Sequence, residues 1–407
     1  MQIYADEPIR ISKVEGVSGL SILYVKPREK SLTTQTFYND ILFQVEPCFR
    51  NEYETVEFDF NGLASINPMV LPLLYTLGIE LRKRGVCPIL NIIPRLSDDD
   101  FSNISYFIEY SGFYELNKTY NHIHNNSEGC IFEIPYARGE IQRFDYIKVD
   151  YIEAKSTSSK IYKKLEQFMN VFIKKSFKSL IPEYFNRYFE YQNEVEEYVK
   201  SKFIEPLYQV ALNSTVHSNA GCAVSISHIG KFNKLYVSLS DVGVGLYETL
   251  EPKRNLIAKD PTIKEDLKLS ILKLYELSDS DSDFKEMYMI IIALILRMTR
   301  LNENDIEHSD YGLISVVNFI LQNNGYFRIH SNDTRIVLSN RMSKYFCVRN
   351  ILDLVEFLKH EDKNLYKHKY FQGVHIDFEL DLNNMSEYFW EDTQKKIMER
   401  INAKEVM

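Results

Sequence analysis

Two strand patterns at residues 221–241, which end in a glycine-rich polar turn, constrain the fold of this chain most strongly. The segments GCAVSISHIG and NKLYVSLSD are each typical of a β-strand, and Gly230 lies at or near the turn between them. They predict an antiparallel hairpin. The second strand continues directly into Asp-Val-Gly-Val-Gly, so that Asp241 stands at the strand end.

The residue types around this turn suit a nucleotide. Asp241 can accept a hydrogen bond from an exocyclic amine such as that of adenine. Gly243 and Gly245 let the backbone lie flat against a base, because they carry no Cβ. Upstream, Asn213 at a predicted helix end can offer its amide oxygen to a Mg²⁺ that bridges phosphates. Downstream, Gly312 opens a predicted helix, whose free N–H groups favour phosphate.

The order of these pieces resembles a known superfamily. Asn213-x-x-x-His217 resembles the N box of GHKL proteins, which include DNA gyrase, heat-shock protein 90, mismatch-repair ATPases, histidine kinases and anti-sigma serine kinases. Asp241-x-Gly243-x-Gly245 resembles their first glycine box. Without this resemblance, the same residues also fit a helix C-cap and a plain strand-ending turn.

Two further segments extend the resemblance toward the C-terminus. Residues 311–317, YGLISVV, resemble the second glycine box and are followed by a predicted helix, a glycine and a strand. Residues 371–376, FQGVHI, resemble the closing strand of many members. The family places a variable ATP lid between its glycine boxes, which here corresponds to about 246–310. Within it, the charged and Ser/Asp-rich residues 246–285 predict a mobile segment.

The resemblance implies an α/β fold of the α+β two-layer sandwich kind, a GHKL Bergerat-type ATP-binding domain, over residues 155–385. It implies ATP and Mg²⁺ as cofactors, and His217 suits a supporting role better than a catalytic one. The implied nucleotide-binding residues are Asn213, His217, Asp241, Gly243, Gly245, Gly312 and Leu313, with Asn213 as the metal ligand.

The chain departs from the family pattern at three places. Gln209 occupies the position of the general-base glutamate of many hydrolysing members, and a carboxamide cannot take up the proton. Glu205 lies a further turn back and does not substitute. Val374 stands where members often have threonine, and the second glycine box keeps one glycine, Gly312. The departures predict slow or absent hydrolysis and leave the catalytic group unknown.

The N-terminal half predicts a separate α/β unit. Strand, helix and strand follow one another in residues 56–94, and this segment resembles a STAS-type domain, the fold of anti-sigma-factor antagonists. The family's phosphorylated Ser or Thr position is taken by Asn67 or Pro68, and Ser65 lies slightly early. We therefore expect a STAS-like interaction domain over residues 1–150 that is used for contact. A generic α/β unit is the alternative.

Composition limits the class of protein. A length of 407 residues favours two domains, and a net charge of −9 argues against a partner nucleic acid. The longest apolar run, residues 287–296, is shorter than the roughly 20 residues that a bilayer requires. Five scattered cysteines without a CxxC pair favour reduced thiols. We expect a cytoplasmic protein that binds neither nucleic acid nor membrane.

Other patterns complete the prediction of secondary structure. Residues 156–217 and 285–300 are predicted to be helical, and 326–332 and 335–340 are predicted to form a hairpin. Residues 386–407 predict a charged amphipathic tail helix.

Three functions fit these observations. The first is an ATP-binding regulatory protein in which nucleotide orders the lid and changes contacts with a protein partner or a second copy. Its tail, around Trp390, would suit a homodimer. The second is a protein kinase of the anti-sigma serine or histidine kind, although residues 156–200 contain no histidine that could accept phosphate. The third is a nucleotide-independent scaffold with a decayed site. Whether the chain is an enzyme, as a weak ATPase or kinase, stays open.

Overall fold

A computed structural model of the protein describes residues 21–92, 104–118, 130–134, 147–154, 156–176, 207–212, 214–215, 221–229, 233–296, 313–345, 350–360 and 364–385, with single positions at 204, 391, 395, 398 and 399.

The N-terminal unit is a small parallel α/β structure. Its strands are β1 (Ile22–Val25), β2 (Ser31–Leu32), β3 (Thr55–Asp59), β4 (Ser65–Ile66) and β5 (Cys87–Asn91). Strands β1, β3 and β5 form a three-stranded parallel sheet in the order β1-β3-β5, and β2 pairs with β4. Its helices are α1 (Leu42–Phe49), α2 (Val70–Lys83), α3 (Ile104–Tyr110) and α4 (Phe113–Lys118).

Local sequence explains these elements. In β3 the alternating pattern buries Val56 and Phe58 and leaves the residues between them partly exposed. Helix α2 ends in the basic residues Arg82 and Lys83, which suit the negative end of the helix dipole. Nearly all of α2 is buried, because it packs against β5 on one side and, on the other, against the strands Cys222–Ile229 and Lys234–Asp241 of a second sheet.

The C-terminal unit is built on a five-stranded antiparallel sheet in the order β6-β7-β8-β10-β9. Its strands are β6 (Ile147–Ile152), β7 (Cys222–Ile229), β8 (Lys234–Asp241), β9 (Tyr326–Ser339) and β10 (Leu365–Asp381). Its helices are α5 (Ser158–Ser176), α6 (Leu246–Leu250), α7 (Arg254–Lys259), α8 (Glu265–Ser280), α9 (Lys285–Ile295), α10 (Leu313–Gln322) and α11 (Ile351–His360). The chain is therefore of the mixed α/β class.

The two faces of this sheet differ in chemistry. Leu235, Val237 and Leu239 of β8 belong to a hydrophobic cluster that they share with α5, α9 and α10. Because side chains alternate along a strand, Ser238 and Ser240 face the N-terminal unit. The sheet thus lies between a helical layer and the N-terminal unit, and the predicted two-layer arrangement gains a third layer.

The predicted hairpin at 221–241 is confirmed by the antiparallel pairing of β7 with β8. The predicted hairpin at 326–340 is wrong, because β9 is one continuous strand. Asn332 adopts φ 53° within it. Asparagine tolerates this left-handed conformation, so the polar Asn332-Asp333 pair makes an irregularity within the strand instead of a turn.

The expectation of a mobile segment at 246–285 is also wrong, since α6, α7 and α8 lie there. Ile271, Leu274 and Tyr275 of α8 recur at helical spacing and are buried in the core, while exposed acidic side chains, such as those of Glu265 and Glu276, occupy its outer face. Polar composition therefore marked the exposed side of a folded helix.

Other boundaries shift or fall outside the described residues. Strand β6 reaches across the predicted domain limit at residue 150 and pairs with β7 of the C-terminal sheet. Helix α11 and the helical segment at 34–49 were not predicted. The predicted tail helix at 386–407 lies almost entirely outside the described part of the chain. Within that part, we find no helix long and apolar enough to cross a membrane.

Candidate functional site

The candidate site is centred on the Asp241 carboxyl group at the end of β8. The residue is 1% exposed. Its Oδ1 accepts hydrogen bonds from the backbone N–H groups of Gly243 at 3.0 Å and Val374 at 3.2 Å. The Ser214 hydroxyl also hydrogen-bonds to this carboxyl group. The turn after β8, strand β10 and the helical residue Ser214 therefore meet at one acidic side chain.

Burial controls the charge of this group. It raises the pKa of Asp241 from its ordinary 3.8 to about 7, and the two backbone hydrogen bonds, the Ser214 hydroxyl and the Lys83 charge oppose that rise. An aspartate with such a pKa changes its protonation state near neutral pH. Perturbed groups of this kind concentrate at functional sites.

Strand β10 approaches Asp241 through a glycine. Gly373 has φ +104°, and a Cβ at this position would overlap the Asp241 carbonyl oxygen. The pairing register of β10 with β9 shifts between Phe371 and Val374, so the strand carries an irregularity here. This irregularity brings the Val374 N–H group to the carboxylate.

A second buried carboxyl group organises the start of α6. Glu286 of α9 accepts hydrogen bonds from the N–H groups of Leu246 at 3.1 Å and Tyr247 at 3.4 Å, and from the Ser331 hydroxyl. Burial raises the pKa of Glu286. Gly245 is the N-cap of α6 and lies so close to Asn332 that a Cβ would overlap its side chain. The second glycine of the turn thus permits contact with β9.

The structure brings together part of the predicted set. Asp241, Gly243 and Gly245 form the turn described above, and Leu313 is the buried first residue of α10. Gln209 is 2% exposed, so it does not lie on the surface of its helix. The predicted residues Asn213, His217 and Gly312 lie outside the described residues.

Within the described ranges, no group of three or more His, Cys, Asp or Glu side chains is placed to hold a metal ion.

Sequence reasoning missed Glu286, Ser331 and Gln372. Glu286 carried a usable signal, because a carboxylate at the head of the apolar run MYMIIIALI is costly to bury without partners. Ser331 and Gln372 carried none, since their contacts join residues far apart in the chain.

A second polar region lies between the sheet and the N-terminal unit. The hydroxyl groups of Ser225, Ser227 and Ser238 and both ring nitrogens of His330 are buried, with no hydrogen-bond partner in the described part of the protein. Burial lowers the pKa of His330 well below its usual value, and it lowers the pKa of His375 to about 3. Both imidazoles are therefore neutral at physiological pH.

Arg335 of β9 completes this region. It is 1% exposed, and its guanidinium donates to Gln35 Oε1 at 2.7 Å and to Thr34 Oγ1 at 3.3 Å. The same group lies 4.7 Å from the centroid of the Tyr38 ring. The N-terminal unit is thus attached to the sheet by polar contacts at Arg335 and at Ser240, whose hydroxyl hydrogen-bonds with that of Thr76.

Comparison of the chain with protein-family models, with curated proteins and with solved structures gives no match.

Proposed function

We propose that this protein binds ATP at the Asp241 site and that binding changes its contacts with a protein partner or a second copy. The observation that carries the proposal is the buried Asp241 carboxyl group, held by the Gly243 and Val374 N–H groups at a turn with two glycines. A fixed carboxylate of this kind suits the exocyclic amine of adenine. The GHKL proteins that the sequence resembles use an aspartate in this way.

The rest of the proposal concerns the segment predicted as a lid, residues 246–310. Nucleotide binding shifts the contacts of this segment, and its helices α6 to α8 move as formed helices. Asn213 would hold a Mg²⁺ ion, which would offset the negative charge of the phosphates. Hydrolysis is slow or absent because Gln209 replaces the general base.

A second candidate function is a nucleotide-independent scaffold. The specific observation in its favour is that Asp241 is already fully buried and hydrogen-bonded to protein groups. A carboxylate satisfied by its own chain has less need of an adenine amine.

Isothermal titration calorimetry with ATP and Mg²⁺ separates the two functions. The proteins compared are the wild type, Asp241→Asn, and Asp283→Asn, which changes an exposed carboxylate of the Ser/Asp-rich segment. We expect ATP binding to weaken about ten- to a hundredfold in Asp241→Asn, because a charge-assisted hydrogen bond is lost, and to stay unchanged in Asp283→Asn. A wild type that does not bind ATP refutes the proposal and favours the scaffold. Phosphate release and transfer of radiolabel to a partner test hydrolysis and kinase activity.

A further inference from the structure

Helix α2 of the N-terminal unit passes directly behind the Asp241 site. The Thr76 hydroxyl of α2 lies 2.7 Å from the hydroxyl of Ser240, the residue before Asp241 in β8. One turn further along α2, the buried Glu80 accepts a hydrogen bond through Oε2 from the backbone N–H of Gln372 at 3.4 Å. The N-terminal unit therefore contacts both strands that meet at the site.

Gln372 continues this contact to the site itself. Its side-chain Nε2 donates to the Val242 carbonyl oxygen at 3.2 Å. The next residue, Gly373, lies against the Asp241 carbonyl, and the one after it, Val374, donates its N–H to Asp241 Oδ1. An unbroken series of contacts thus leads from Glu80 to the Asp241 carboxyl group.

The charges on this turn of α2 belong to the same arrangement. Arg84 donates to Glu80 Oε1 at 3.1 Å, which fixes the carboxylate that holds Gln372. The neighbouring Lys83 lies near enough to Asp241 that its positive charge lowers the pKa of that carboxyl group. Both the position and the charge state of Asp241 therefore depend on α2.

We propose that Glu80 is a positioning residue through which the N-terminal unit regulates the affinity of the Asp241 site for nucleotide. This inference rests on the proposed function. Because coupling between two equilibria is reciprocal, nucleotide binding in turn stabilises the docked position of α2.

The experiment compares four variants of the full chain with the wild type. Glu80→Ala removes the acceptor, and Glu80→Gln retains an acceptor oxygen without the charge. Gln372→Ala breaks the hydrogen bond to Val242 without changing α2. Glu133→Ala is the matched control, because this largely exposed carboxylate also lies by α2, 3.9 Å from Arg82, but does not touch β10. Thermal melting establishes that each variant is folded.

Two readouts are measured on each protein. Hydrogen exchange of the 365–381 segment without nucleotide reports whether α2 holds β10. Calorimetry with ATP and Mg²⁺ reports affinity. We expect Glu80→Ala to speed exchange at 371–374 and to weaken ATP binding about tenfold, the equivalent of one hydrogen bond. Gln372→Ala weakens binding similarly, Glu80→Gln stays within about twofold of the wild type, and Glu133→Ala changes neither readout.

Unchanged exchange in Glu80→Ala overturns the positioning role. Faster exchange with unchanged ATP affinity overturns the regulatory role. A wild type that binds no ATP refutes the proposed function, and the regulatory role with it, whereas the exchange measurement still decides separately whether Glu80 holds the strand.

Discussion

Asp241 is kept buried at a cost to stability, and replacing it with asparagine should remove that cost. An amide at this position has no charge to desolvate, and its oxygen can still accept the Gly243 and Val374 N–H groups. We therefore predict that Asp241→Asn gains stability relative to the wild type as pH rises, while it loses affinity for ATP.

The magnitude follows from the pKa of the carboxyl group. Asp241 has a pKa of about 7 in the folded protein, compared with its ordinary 3.8. Between these values the folded protein retains a proton that the unfolded chain has released. The stability that this group contributes is therefore present below pH 4 and is lost as pH rises toward 7. The difference between the two pKa values corresponds to ~4 kcal/mol, lost in full by pH 8.

Urea unfolding of the wild type and Asp241→Asn at pH 5, 6, 7 and 8 measures this effect. The difference in their free energies of unfolding should change by about 3 kcal/mol across this range in favour of the variant. An amide N–H group introduced at position 241 without an acceptor would shift all four values by about 1–2 kcal/mol but would not alter the slope. Asp283→Asn serves as the exposed control. A difference that is independent of pH would refute the assignment of Asp241 as a buried, proton-retaining carboxyl group.

Three further predictions test the surroundings of the site. Gly373→Ala should destabilise the protein by about 2–4 kcal/mol in urea unfolding, because φ +104° and the Asp241 carbonyl both exclude a Cβ. The control is Gly62→Ala, where the nearest atom to an added Cβ is 3.9 Å away, and it should change the free energy of unfolding by no more than about 0.5 kcal/mol. Equal effects of the two substitutions would contradict this reasoning. His375→Gln should gain stability relative to the wild type as pH falls below 6.5, by up to ~1.4 kcal/mol in the free energy of unfolding for each pH unit. The reason is that the wild-type imidazole stays neutral in the folded protein but takes up a proton in the unfolded chain. Parallel stability curves of the two proteins against pH would exclude a buried, neutral His375. Glu286→Ala should cost about 2–3 kcal/mol, since it leaves the Tyr247 N–H group of α6 and the Ser331 hydroxyl without their acceptor, and faster hydrogen exchange at the start of α6 would distinguish this cause from a general loss of packing.

Much of the fold could be predicted because its elements follow local rules. The hairpin of β7 and β8 and the helix α9 have periodic apolar patterns that leave little choice of secondary structure. Local rules failed where burial decided the outcome. The Ser/Asp-rich residues 246–285 form helices because their few apolar side chains reach the core, and β9 runs through a polar pair that resembles a turn.

The candidate site was predictable only in part for a related reason. Asp241 and its glycines are neighbours in sequence, so their shared turn was visible. Glu80 and Glu286 reach the same region from distant segments, and only the docking of α2 and α9 brings them there. A single sequence shows the residues of a turn, but it does not show what will be packed behind it.

The two faces of the five-stranded sheet differ in how strongly burial favours packing against them, and this difference bears on the proposed action of α2 on the site. The face toward the helices is mostly apolar, and separating it would expose mainly hydrophobic surface. The face toward the N-terminal unit carries the buried polar atoms of Ser225, Ser227, Ser238 and His330, without partners among the described residues. Water would satisfy these groups once the unit moved away, and this hydration offsets part of the free energy needed to expose the apolar side chains around them. Docking on this face is therefore less strongly favoured per unit of buried area than packing on the other. The proposed coupling through Gln372 therefore acts across the less strongly favoured of the two interfaces.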